Sequence, residues 1–308
     1  MSTALRDVPA LGRPTGVDAV YLSVALVAVS TSGPLIAAIT APALAIAFWR
    51  NAMSLGYLVP AVLLTRRAEL RGLDRRELRL IGWAGLFLAL HFATWVPAAQ
   101  LTSVATATAL VATQPVWGAL IARWQGVTVS RAVWGGIGLS VAGALLLTGV
   151  DVGTSREALV GDGLALLGGV FAALYVAAGS EVRRSVSTTT YTALCYAATA
   201  LMLLAVCLVG RQQLTGYAAR EWLLLGALTL GAQLLGHTLF NLVLRSTSPT
   251  VVSLSILLEI PGAALVAALF LSQGVPLLAI PAAVLLLAGL AVVIRSSSRE
   301  AEPSVPVE

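Results

Sequence analysis

Lysine is absent from this 308-residue chain, and charge of either sign is scarce. Charged residues make up 11% where soluble domains carry about 25%, and apolar residues reach 58% where about 45–50% is usual. A soluble globule of this length has too much surface to cover with so few charges, so lipid is the solvent for most of the chain. The two cysteines, Cys195 and Cys207, lie in one apolar run without metal-ligand spacing, and a single helix does not easily bring them together as a disulfide. No phosphate loop, dinucleotide glycine motif or paired-cysteine site is present, which argues against ATP-driven pumping within the chain and predicts neither cofactor nor metal. The serine of GLSVAG lacks both a nucleophile-elbow context and a base, so no residue is assigned a catalytic role and no enzyme is expected.

The cations present are all arginines, and the net charge of +5 does not gather on one face. They sit in short links between apolar runs, a pattern that predicts no nucleic-acid partner. A spanning helix needs about twenty mostly apolar residues. Runs of that kind predict helices at 17–39, 43–64, 80–99, 102–122, 132–150, 161–180, 189–209, 222–242, 249–271 and 276–294. Residues 1–16, with Arg6 and Arg13, read as a cytoplasmic arm, and 297–308 as a flexible tail. Ala41-Pro42-Ala43 loosely resembles a cleavage site, but cutting there removes a helix that the repeat described next requires. With the N-terminus inside, the cytoplasmic segments hold Arg6, Arg13, Arg66, Arg67, Arg71, Arg75, Arg76, Arg79, Arg123, Arg131, Arg183, Arg184, Arg245, Arg295 and Arg299. Arg156, Arg211 and Arg220 fall outside, and Arg50 lies within a span. The positive-inside rule therefore predicts a multi-pass plasma-membrane protein with both termini cytoplasmic.

The two halves are alike at an offset of 146 residues. Pro115 falls on Pro261, His91 on His237, Gly85 on Gly231, Gly33 on Gly179, and Ala142-Gly143 on Ala288-Gly289. Those are the chain's two histidines. The organisation expected is a first five-helix repeat over 17–150 and a second over 161–294. Five is odd, so the second repeat enters the membrane from the opposite side. An inverted pair of this kind is characteristic of secondary transporters, with cargo bound near the midplane between repeats. The fold class predicted is an all-α integral membrane protein of ten transmembrane helices in two inverted five-helix repeats.

Polar residues inside apolar runs mark the candidate site. Glu259 lies about ten residues into the ninth helix, or roughly 15 Å deep at 1.5 Å per residue. A charge there costs about 2.5–3.5 kcal/mol, which calls for a polar cavity, a partner or a proton. The functional reading is ammonium binding or proton coupling; the other is a neutral structural acid beside a kink at Pro261. Arg50, a buried charge within FWRNAMS, must snorkel or pair, with Glu259 one partner, and its role is structural or toward substrate. His91 and Trp95 share a helix face, as do His237 and Asn241, on helices that the repeat makes equivalent. Thr102, Thr106 and Thr113 form a stripe on the fourth helix with Gln114 beside it, matched on the ninth by Ser248, Val252, Ser255 and Glu259. Pro34, Pro97, Pro115 and Pro261 break the backbone ladder and are the expected kinks or hinges. The patch Gly135-Gly136-Ile137-Gly138 suits close helix packing.

Three stretches carry a resemblance: AIAFWRNAMSLGYLVPAVLLTRR ending at Arg67, VATATALVATQPVWGALIA ending at Ala122, and SLSILLEIPGAALVAALFL from Ser253. With the closing AGALLL and AGLAVV patterns, they resemble the EamA-type members of the drug/metabolite transporter superfamily. The resemblance implies a ten-helix inverted repeat whose first, third, fourth, sixth, eighth and ninth helices line a cavity. It puts His91, Trp95, Thr113, Gln114, His237, Asn241 and Glu259 on the relevant helices, and Arg50 at a frequent arginine of the second. One departure stands: a Gly-Glu pair common after the fourth and ninth helices reads WQGVT and SQGVP here.

The function expected is secondary transport, specifically export of small metabolites (amino-acid-like or amphipathic compounds) by alternating access. The partners are a small-molecule substrate and the lipid bilayer, with proton coupling open through Glu259 and the histidines; the residues carry no signature of an oligomeric state. The alternative is a non-transporting polytopic membrane protein, such as a scaffold, a receptor or a lipid-modifying enzyme.

Overall fold

The computed structural model describes residues 15–102, 104–111, 113–148, 155–270 and 278–300, and among these every regular element is helical. The chain runs through α1 (Gly16–Ser30), α2 (Ser32–Ala38), α3 (Ala43–Thr65), the short α4 (Arg67–Gly72), α5 (Arg75–Leu101), α6 (Val104–Val111), α7 (Gln114–Trp124) and α8 (Arg131–Thr148). It continues through α9 (Arg156–Val182), α10 (Thr188–Val209), α11 (Ala219–Leu228), a π-helical segment (Thr229–His237), α12 (Thr238–Val243), α13 (Pro249–Ile256), α14 (Glu259–Phe270) and α15 (Ala279–Glu300).

Five stretches among the described residues are long and apolar enough to cross a membrane: 16–38, 75–101, 156–182, 188–209 and 219–243. Their ends follow from capping. Asp74 and Glu77 form a reciprocal capping box that starts α5 at Arg75, earlier than the apolar run alone predicts. Thr15 and Asp18 do the same for α1. The last helix runs to Glu300, into the segment expected to be tail. The rest of that tail, most of the N-terminal arm and the SQGVP link fall outside the described residues.

Three of the four expected proline kinks take another form. Pro34, Pro115 and Pro261 each sit in the first turn of a new helix, after the chain has already broken near Thr31, Thr113 and Leu257–Leu258. First-turn residues need no N–H donor, so proline fits there without straining the ladder. Pro97 alone of the four lies inside a continuous helix, α5.

Each long helix of one half packs on a helix of the other. α5 lies along α9, α3 along α10, α1 along the π segment and α12, and α8 along α15. The last pair meets backbone to backbone. A Cβ on Gly136 would lie 2.8 Å from the Gly289 carbonyl oxygen, and one on Gly143 2.9 Å from that of Ala282. Between them Ser140 Oγ reaches the Leu286 carbonyl at 3.4 Å, two residues 146 apart. Gly136 thus meets the upper part of α15 and Gly143 the lower, so the two helices cross antiparallel.

The outer surface is apolar: Val17, Val20, Val24 and Val27 of α1, Leu223 and Leu230, Leu265 and Leu269, and Ile280, Val284 and Leu287 are all exposed. In water that surface would aggregate; in lipid it is the solvated face.

Polar contacts between the halves include a set at each end of the bundle. At one end Glu69 of α4 accepts from the Ser187 amide at 2.6 Å, and from the Ser187 and Thr190 hydroxyls at 2.5 Å each, capping α10 from across the interface. Glu77 accepts from Ser185 at 2.6 Å, Arg76 pairs with Glu181 at 2.6 Å, and Asp18 accepts from Ser246 at 2.8 Å. At the other end Glu221 accepts from the Thr40 amide at 2.7 Å, and the Trp49 indole donates to the Leu214 carbonyl at 2.8 Å.

Burial alone would raise the Glu69 carboxyl, but the hydrogen bonds from Ser187 and Thr190, with Arg66 nearby, outweigh it and hold the group below its ordinary value of 4.5. A depressed folded-state value means this contact stabilises the fold fully above that ordinary value, and the contribution is lost as pH falls through the folded value. Glu69→Ala is therefore expected to cost about 1 kcal/mol at neutral pH, the worth of a helix cap. Thermal unfolding in detergent across a pH series checks it: the gap from wild type should close in acid, and an undiminished gap there refutes the assignment.

Candidate functional site

A cavity of about 870 Å³, mouth included, opens at the centre of the bundle between the halves. Its polar lining includes His91 and Trp95 of α5, Gln114 of α7, His237 of the π segment, Asn241 of α12 and Glu259 of α14. Its apolar lining includes Val29, Leu88, Val111, Val176, Phe240 and Ile256. Six residues singled out from the sequence thus come together on one lining. Thr113 does not join them: its hydroxyl turns back to the Leu110 carbonyl at 2.7 Å and accepts from the Trp117 indole at 3.0 Å. Those bonds serve the broken fourth helix, where backbone carbonyls need donors.

The His91 ring is fixed on both sides. Its Nδ1 lies 3.0 Å from the Gly168 carbonyl oxygen. A carbonyl only accepts, so Nδ1 carries a proton, and in the neutral ring Nε2 is left as an acceptor. The approach depends on α9 coming close: a Cβ on Gly168 would touch Thr94 Oγ1 and Trp95 Cβ at 3.3 Å, and one on Gly169 the Val111 carbonyl at 3.1 Å. Trp95 stacks on His91 with centroids 6.0 Å apart and planes 6° from parallel. His237 meets the edge of Phe92 at 5.9 Å.

Gln114 Nε2 donates to Ser253 Oγ at 2.9 Å, tying the fourth helix to the ninth across the repeat. Glu259 begins α14 directly after the Leu257–Leu258 break, half-buried on the lining. Two buried donors near it have no hydrogen-bond partner among the described residues, Trp95 Nε1 and Asn241 Nδ2. The lining residues thus carry a carboxyl group, an imidazole acceptor and two buried donors without a partner among the described residues, set among aliphatic and aromatic walls.

Arg50 neither snorkels nor joins the lining. It is completely buried, its Nε donating to Gln233 Oε1 at 2.8 Å and its guanidinium lying 4.3 Å above the Phe92 ring. Gln233 in turn donates to Asn51 Oδ1 at 2.8 Å. No ion pair joins Arg50 to Glu259; the ion pairs among the described residues link Arg76 and Arg184 to Glu181, and Arg220 to Glu221. A cation over a desolvated ring gains about 2 kcal/mol, less than an isolated buried charge costs. Gln233 of the π segment meets Nε alone; Arg50 Nη1 and Nη2 have no hydrogen-bond partner among the described residues.

The sixth helix was expected at 161–180 and on the cavity, but none of its residues was singled out. Gly168, Ala172, Tyr175 and Val176 share one face of α9, and the last three line the cavity. The readable signal was a Gly-Gly pair followed at helical spacing by a tyrosine in an apolar run. Arg183, counted above among the arginines of the cytoplasmic segments, is buried at the C-terminal end of α9. It donates from Nε to the Asn241 carbonyl at 3.1 Å, and from its other nitrogens to Val186 O and Thr188 Oγ1.

An apolar-surfaced helical bundle with a polar cavity at its centre is the architecture of a multi-pass membrane protein. The model of the EamA-like transporter family matches residues 16–149 and again 159–295. The chain therefore belongs to the EamA-like transporter family, within the drug/metabolite transporter superfamily, a family of transporters and not of enzymes. One crystal structure, described only as that of a protein, is 19% identical with a TM-score of 0.74, the match covering 92% of this chain and 98% of the other. That likeness speaks for the fold alone. No curated protein matches the chain significantly.

Proposed function

We propose that this chain is a secondary transporter that exports a small amphipathic or amino-acid-like metabolite across the plasma membrane by alternating access. The observation that carries the reading is the lining itself. Glu259, half-buried, and the two residues whose donors have no partner among the described residues, Trp95 and Asn241, line one cavity between the halves with apolar walls, the composition of a ligand pocket. Cargo with an ammonium and an acceptor oxygen on an apolar body answers each of them. A proton on Glu259 is the alternative occupant, which is how coupling would enter.

Ten spans in two inverted repeats accord with the reciprocal antiparallel contact of α8 with α15. Alternating spans accord with the links, since the 66–79 segment meets 181–190 at one end while 38–40 meets 220–221 at the other. The arginine-rich end is then cytoplasmic, with both termini on that side.

Single cysteines at positions 91, 237 and 259 test the reading in whole membranes. The native Cys195 and Cys207 are buried, so background reaction is low. Water-soluble thiol reagents should reach these positions and be slowed by cargo. Complete inertness from both faces returns the chain to the non-transporting alternative.

A further inference from the structure

Two of the four polar groups of Asn241 are held by a single helix, α9. Its side-chain Oδ1 accepts from the Tyr175 hydroxyl at 2.9 Å, and its backbone carbonyl accepts from Arg183 Nε at 3.1 Å. Tyr175 lies within α9 and Arg183 is its C-cap residue. The carbonyl needs such a donor, because α12 ends at Val243 and the next amides turn to other acceptors: Leu244 to Phe240, Arg245 to Leu242. With Oδ1 and the main chain taken, Nδ2 is the group of this lining residue left without a partner among the described residues.

We propose that Tyr175 and Arg183 are positioning residues for Asn241, locking its carboxamide so that the cavity presents an N–H donor there. The inference rests on reading the cavity as the cargo site, and it names one element of specificity: cargo must bring a carbonyl or carboxylate oxygen to that point. A freely turning asparagine would accept from or donate to cargo equally well, because its two ends are nearly the same size. A phenol accepts as well as donates, so Tyr175 removes that choice through the orientation the structure shows, its hydroxyl donating to the oxygen. Arg183 fixes the main chain from which the side chain springs, and its remaining nitrogens fasten the same point to Val186 and Thr188 in the link and first turn of α10. A site that donates at a fixed place rejects cargo lacking the matching acceptor, since the donor is then left buried and unpaired.

The chain contains two asparagines, Asn51 and Asn241, which makes the test direct. Full-length protein carrying ¹³C,¹⁵N-asparagine in nanodiscs gives two carboxamide signals by NMR. Asn51 Nδ2 donates to the Ala47 carbonyl at 2.9 Å, so one of its protons should lie downfield. The Asn241 protons should lack that downfield shift. Tyr175→Phe should move the Asn241 carboxamide signals and leave those of Asn51 in place, which doubles as the check on folding. Arg183→Lys should move the Asn241 backbone carbonyl carbon. The proposal is overturned if the wild-type Asn241 amide itself shows a hydrogen-bonded proton, a result that needs no variant. It is equally overturned if Tyr175→Phe leaves the Asn241 signals unmoved. Neither readout uses transport, so the positioning claim and the transport reading fail separately.

Discussion

Glu259→Gln is expected to lower cargo affinity by about tenfold to a hundredfold while leaving the fold intact. The size follows from replacing a charge-assisted contact, worth about 1.5–3 kcal/mol, with a neutral one of the same shape. The fold should survive because Glu259 is half-buried on the cavity and forms no ion pair with Arg50, so removing its charge strands no salt-bridge partner. Uptake into proteoliposomes at varied external pH separates the two occupants. If protons compete at this carboxylate, the wild type shows a pH dependence that the variant loses. Unchanged flux with an unchanged pH profile removes Glu259 from the mechanism and leaves it the structural acid beside Pro261.

The second large effect is on stability. Gly289→Ala places a methyl 2.1 Å from Ser140 Oγ and 2.4 Å from the Gly136 carbonyl oxygen. Ser140 can rotate; the carbonyl belongs to a helix backbone and cannot, so α8 and α15 must move apart. Overpacking of this kind costs about 1–3 kcal/mol, and against backbone the upper part of that range applies. In a membrane the loss is not offset, since helix association there depends on close van der Waals packing. Gly135→Ala and Gly138→Ala are the controls, because a Cβ at either meets nothing within 4 Å. Thermal unfolding in mild detergent should place Gly289→Ala several degrees below wild type and both controls beside it. Equal behaviour of all three would show that the seam is looser than its geometry.

Much of the fold was legible because bilayer and repeat both act on composition. Apolar runs marked the helical segments, and a register of 146 paired His91 with His237 and Gly143 with Gly289 before any contact was known. Six lining residues were legible for a related reason: a polar side chain deep in an apolar run has few structural excuses. Thr113 shows the limit of that rule, since a hydroxyl can satisfy itself on its own helix. Arg183 shows another. An arginine near a helix end reads as solvated, and only the fold reveals that an orphan carbonyl of a distant helix needs it. Tyr175 was passed over because tyrosine counts as apolar in a hydropathy scan, although its hydroxyl is what matters here. The π segment has no sequence signal that helical periodicity would register.

The Gly136, Ser140 and Gly143 face of α8 touches the corresponding face of α15 in reversed order, so each position meets its own counterpart or the counterpart of its partner. That is the form of an isologous interface, the contact two identical subunits make across a two-fold axis. A half-length polypeptide carrying this face would already present a self-complementary surface to a second, antiparallel copy. Joining the halves in one chain therefore adds no new contact at this seam and leaves positions elsewhere free to differ, as Glu259 differs from Thr113 and Arg50 from Tyr196 at the same offset.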